Sequence, residues 1–94
     1  MVVLRYEFVD GFFLKRAQYR ESHLAYLNVL ADEKLIVVGG VLKDAIPCGM
    51  IVLNTDDLSV AHKVALNDPY YLNKLISEFH VTEWTVVVGD YLRG

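Results

Sequence analysis

"LIVVGGVLKDAIPCGMIVL", residues 35–53, decides the fold. Its two apolar runs, 35–42 and 48–53, are short and β-branched, so each reads as a strand. Residues 43–47 connect them, and Gly39-Gly40 predicts a bulge or a close backbone approach within the first run. Two strands in succession at mid-chain set the order of everything around them.

Upstream, Val2, Leu4, Tyr6 and Phe8 alternate with Val3, Arg5, Glu7 and Val9, which is the period of a strand. Asp10-Gly11 ends it. Residues 12–33 then turn helical, with Phe13, Ala17, Leu24, Leu27 and Ala31 on one stripe. Downstream, residues 54–57 supply caps for a helix over 58–66, with Leu58, Ala61 and Ala65 facing inward. Asn67 is placed to end that helix in a left-handed conformation. Asp68-Pro69 starts a short helical segment over 70–76, because Asp caps free N–H groups and Pro fits the first helical position. A long strand over 80–88 and a short tail complete one domain, 1–94.

The order is β-α-β-β-α-β, an α+β ferredoxin-like arrangement with an antiparallel sheet and both helices on one face. Apolar residues alternate onto both faces of the strands: Ile51 and Leu53 oppose Met50 and Val52, while Trp84, Val86 and Val88 oppose Val81 and Val87. Of the 94 residues 54% are hydrophobic and 22% charged, so the uncovered face calls for another copy of the chain, a homodimer through sheet faces. The net charge of −3 and the lack of a Lys/Arg cluster argue against nucleic acid. No apolar stretch reaches the length of a membrane span. A single cysteine, Cys48, and no signal pattern predict a cytoplasmic protein.

Chemistry concentrates in "YRESHLAYL", residues 19–27. Helical spacing puts Arg20 near the middle of the apolar stripe, where its head needs water, an anion or a carboxylate. His23 lies on the stripe's edge beside Leu27 and Arg16. Histidine titrates near neutral pH, and as a base it needs a carboxylate to fix its tautomer. Asp68 is the candidate, one oxygen holding a backbone N–H and the other the imidazole. The structural alternative is a snorkelling Arg20 and a half-exposed His23. His62 reads as a partly buried helix residue, His80 as an edge residue opening the last strand, and Cys48 as small core. The spacing of the histidines makes no metal site, and no flavin or haem signature predicts a cofactor.

"RESHLAYL", then "VVGGVL", then "NDPYYL" together resemble the YciI-like (YCII-related) family, with Arg-x-x-His on the first helix and Asp-Pro-Tyr after the second. "VTEWTVV" is similar to its closing strand, although Glu83 stands where proline is usual, and the loop 43–47 is short. The resemblance implies a dimeric α+β barrel and a His–Asp pair at His23 and Asp68, with Arg20 and Tyr70 as pocket residues. One branch of the family eliminates chloride from chlorinated hydroxyhydroquinones. The expectation is therefore a small cofactor-free lyase or isomerase acting on a phenolic or anionic ring. His23 takes the proton, Asp68 orients it, Arg20 steadies the anion and Tyr70 positions the substrate. The alternative is a non-catalytic metabolite-binding or accessory domain in which His23–Asp68 only ties two helices together.

Overall fold

The computed structural model describes residues 1–89. Strands β1 (Val2–Phe8), β2 (Ile36–Leu42), β3 (Cys48–Leu53) and β4 (Ile76–Glu83) form one antiparallel sheet in the order β2-β3-β1-β4. The ferredoxin-like arrangement is observed. Helices α1 (Phe12–Lys15), α2 (Arg20–Asp32), α3 (Leu58–Leu66) and α4 (Pro69–Leu72) supply the connections. β1 threads between β3 and β4 with Val2, Leu4 and Tyr6 buried toward the helices. Ile51 and Leu53 of β3, and Ala61, Val64 and Ala65 of α3, close the same core.

The first helical stretch differs from the periodicity. It is broken by a 3-10 turn over Arg16–Gln18, and Tyr19 (φ −115°, ψ −2°) steps off helical geometry before α2 begins. The break changes the phase of the residues that follow. Phe12 rather than Phe13 enters the core, Ala17 and Leu24 are exposed, and Arg20 lies on the exposed side instead of mid-stripe. What α2 turns toward the core is Tyr26, Leu27, Leu30 and Ala31.

The end of the chain also differs. Asn67 closes α3 with a right-handed backbone and hydrogen-bonds its side-chain nitrogen to the Lys63 carbonyl, so no left-handed residue is needed there. The left-handed turn comes at Lys74 (φ 62°), where the chain reverses and lets Leu75 and Ile76 drop into the core. α4 is accordingly confined to Pro69–Leu72, and β4 begins earlier and ends at Glu83, before Trp84, Val86 and Val88. Leu58 is exposed, and Val64 takes the inward position on α3. The last residues of the expected tail, 90–94, lie outside the described residues.

The face away from the helices divides by chemistry. Val38, Leu42, Met50, Val52 and Val3 make an apolar half, while Arg5, Glu7, Glu78 and His80 make a charged half. Cys48 is half-buried on this face rather than in the core. Glu7 and Glu78 are direct cross-strand partners, a repulsive pairing that the imidazole of His80, bonded to Glu7, relieves. Its proximity holds the Glu7 carboxyl below the usual range. These are the only three residues among those described whose His, Cys, Asp or Glu ligand atoms cluster tightly enough for a metal, and they lie on the opposite face from the dyad. Among the described residues no helix is long and apolar enough to cross a membrane.

Candidate active site

The carboxylate of Asp68 sits at the corner where α3 gives way to α4, and it is the one fully buried charged side chain among the described residues. Burial of a carboxylate is costly unless its lone pairs are filled. Here they are. Oδ1 accepts the Tyr70 backbone N–H at 2.9 Å, capping α4, and it also meets His23 Nδ1 at 2.7 Å. Oδ2 accepts the Tyr6 hydroxyl at 2.9 Å. One oxygen thus carries both the cap and the imidazole, not one each, and the second oxygen is taken by a residue that alternation alone marked as ordinary core. A Tyr that faces inward on the central strand is the signal for it, since a buried hydroxyl needs an acceptor.

A carboxylate only accepts, so Nδ1 of His23 is the donor, and in the neutral ring Nε2 keeps its lone pair. The His23 ring stacks on the Tyr70 ring, centroids 3.7 Å apart and 8° from parallel, and Phe12 packs edge-on to Tyr70. Tyr70 is therefore mostly covered, at 4% exposure, and serves as a wall behind the imidazole. The His23 side chain is 12% exposed and lines a cavity of about 240 Å³ between α2 and the sheet. Arg20 and Arg16 reach the same cavity, with Leu27, Phe8 and Ile51 as apolar lining. Structure thus brings all four expected residues, His23, Asp68, Arg20 and Tyr70, to one place, and adds Tyr6 and Arg16.

Glycines form part of the wall. Gly39, Gly40 and Gly49 line the cavity, and a Cβ at Gly49 would stand 3.2 Å from Phe8 Cζ and 3.3 Å from Tyr6 Cβ. Close backbone approach is thus met at Gly49, and the register shift of β2 comes earlier, between Ile36 and Val38. His62 is exposed, its ring packed edge-on with Phe79 at a centroid separation of 5.5 Å, and His80 lies within β4; neither lines this cavity.

Burial and the Asp68 carboxylate push the Tyr6 phenol far above its ordinary value. A raised phenol contributes stability that is fully present below its unfolded value of about 10 and is lost as pH climbs through the folded one. Tyr6→Phe is expected to cost about 1.5–3 kcal/mol at neutral pH, the worth of a hydrogen bond to a charged acceptor. It is also expected to flatten the loss of stability above about pH 10. Urea unfolding at neutral and alkaline pH checks both; a variant as stable as wild type would remove Tyr6 from the network.

A family model described as a YCII-related domain matches residues 1–85. The fold is similar over 97% of this chain to that of 5-chloro-2-hydroxyhydroquinone dehydrochlorinase from Burkholderia phenoliruptrix AC1100, in a complex with 2,5-dihydroxybenzoquinone. The TM-score is 0.75, identity 24%, and 98% of that chain is covered. No curated protein sequence matches.

Proposed function

The chain belongs to the YCII-related family, and from that premise we propose that it is a small enzyme of lyase or isomerase type using His23 as a proton-transfer base on a phenolic ring. The observation that carries the reading is the 2.7 Å bond from His23 to a fully buried Asp68, with the imidazole opening into a cavity. A ring sealed by side chains would favour a purely structural tie; this one reaches the cavity.

Asp68 fixes the tautomer and faces the imidazolium as it forms, and Tyr6 holds Asp68. Arg20 steadies the anion left on the substrate. Tyr70 supports the imidazole from behind. Elimination of chloride from a chlorinated hydroxyhydroquinone is the most concrete form of the reaction. His23 takes a hydroxyl proton and returns it to the carbon bearing chlorine, giving a keto tautomer. Loss of a second hydroxyl proton then expels chloride and leaves a quinone, so the net loss is HCl. The groups named are all protein side chains, and no cofactor takes part in these steps.

A second copy of the chain covers the apolar half of the open sheet face in this reading, where Val38 is 61% and Leu42 46% exposed. The single, half-buried thiol fits a reducing cytoplasm. Incubation with 5-chloro-2-hydroxyhydroquinone is expected to release chloride in proportion to enzyme, followed by a chloride electrode and by quinone absorbance. Release no faster than in buffer would reject the dehydrochlorinase form of the proposal.

A further inference from the structure

Arg16 and Arg20 line the cavity beside His23, and neither is in an ion pair with any described residue. Among the described residues the pairs are Met1 with Asp56, His23 with Asp68, and His80 with Glu7 and Glu78. Two unpaired guanidiniums at one pocket mouth, in a chain of net charge −3, are a local excess of positive charge. Arg16 is also held in place. Its guanidinium lies 4.8 Å from the Phe13 ring centroid and 5.8 Å from that of Phe12, an attraction that uses the ring faces and leaves the N–H donors free. The field of both arginines reaches inward as far as Tyr70, where it opposes the upward push of burial on the phenol.

One cation suffices to steady the phenolate that forms when His23 takes a proton. A second, pre-positioned and partnerless, asks for a second negative charge. Taking the cavity to be the substrate pocket, as proposed above, we infer that its ligand is a single aromatic ring bearing a carboxylate held by Arg16, in addition to the hydroxyl presented to His23, whose phenolate Arg20 steadies. The cavity volume of about 240 Å³ admits one ring, and the apolar lining grips its faces. Carboxylate geometry matches the planar fork of arginine, which forms two parallel bonds to it.

The test is titration of the full chain at neutral pH and low salt with two probes, 2,5-dihydroxybenzoate and hydroquinone, which share a ring and differ in the carboxylate. Wild type is expected to bind the carboxylate at least about tenfold more tightly, the usual worth of a charge-assisted bond. Arg16→Gln is expected to weaken binding of 2,5-dihydroxybenzoate about tenfold more than binding of hydroquinone. Equal affinities for the two probes in wild type, or an Arg16→Gln variant that weakens both alike, would overturn the inference and leave the pocket reading standing. Failure of both probes to bind at millimolar concentration would overturn the pocket reading and this inference together, and binding of hydroquinone alone would overturn the inference.

Discussion

Asp68→Asn is expected to lower turnover by about 10³–10⁴-fold while the chain still folds. Asparagine has the same shape, and with its oxygen in the place of Oδ1 it still accepts the Tyr70 N–H and keeps α4 capped. Its amide nitrogen, however, must face His23 or Tyr6. Facing His23, it also faces the Tyr70 N–H, so the cap is lost, and it donates to Nδ1 and moves the ring proton to Nε2, which silences the base. Facing Tyr6, it preserves the geometry but removes the negative charge that stabilises the imidazolium. Both arrangements stop proton transfer. Steady-state kinetics beside a thermal melt separate this from unfolding, and nitrogen NMR of the imidazole reads the tautomer directly. Wild-type turnover in the variant would reject the dyad. Alanine at the same position does more harm, because it strands the Tyr6 hydroxyl, the His23 Nδ1–H and the Tyr70 N–H together. The cost is about 3–5 kcal/mol, against a total stability of about 5–15 kcal/mol for a domain.

His23→Ala is the second large effect, a loss of about 10²–10⁴-fold in kcat with the fold retained. Asp68 keeps its bonds to Tyr6 and the Tyr70 amide in this variant, so the buried carboxylate is not abandoned. Stability falls only by the stack on Tyr70 and the lost bond, about 1–3 kcal/mol. The vacated space fits the ring it once held, so added imidazole is expected to restore part of the turnover in proportion to its concentration. A variant as active as wild type would show that the imidazole carries no proton in the reaction.

Most of this architecture was legible in the chain. The alternation of residues 2–8 and the paired apolar runs of 35–53 report a sheet because one face of each strand is buried, and burial is what period two records. Asp68-Pro69 was equally clear, since a capping carboxylate before a proline has few other uses. The failures trace to two turns that the spacing does not announce. The 3-10 turn at Arg16–Gln18 inserts a non-helical step that no hydrophobic spacing announces, and every residue before it falls out of phase with those after. Phe12 and Phe13 exchange roles for that reason, and Arg20 moves from the stripe to a rim. At the other end, the left-handed Lys74 sets where β4 begins, and lysine carries no turn signal of the kind glycine or asparagine would. The partnership of Tyr6 with Asp68 joins residues 62 positions apart and is written only in three dimensions.

The corner at Asp68 has a consequence of its own. A single oxygen starts a four-residue helix and steadies the imidazole, so the two duties cannot be separated in time. On the proposed mechanism, a thermal excursion that peels back this short helix also sets the ring adrift, and reactivity goes dark while the rest of the sheet is still intact. Warmth would then act on this protein as a reversible dimmer long before it acts as a denaturant.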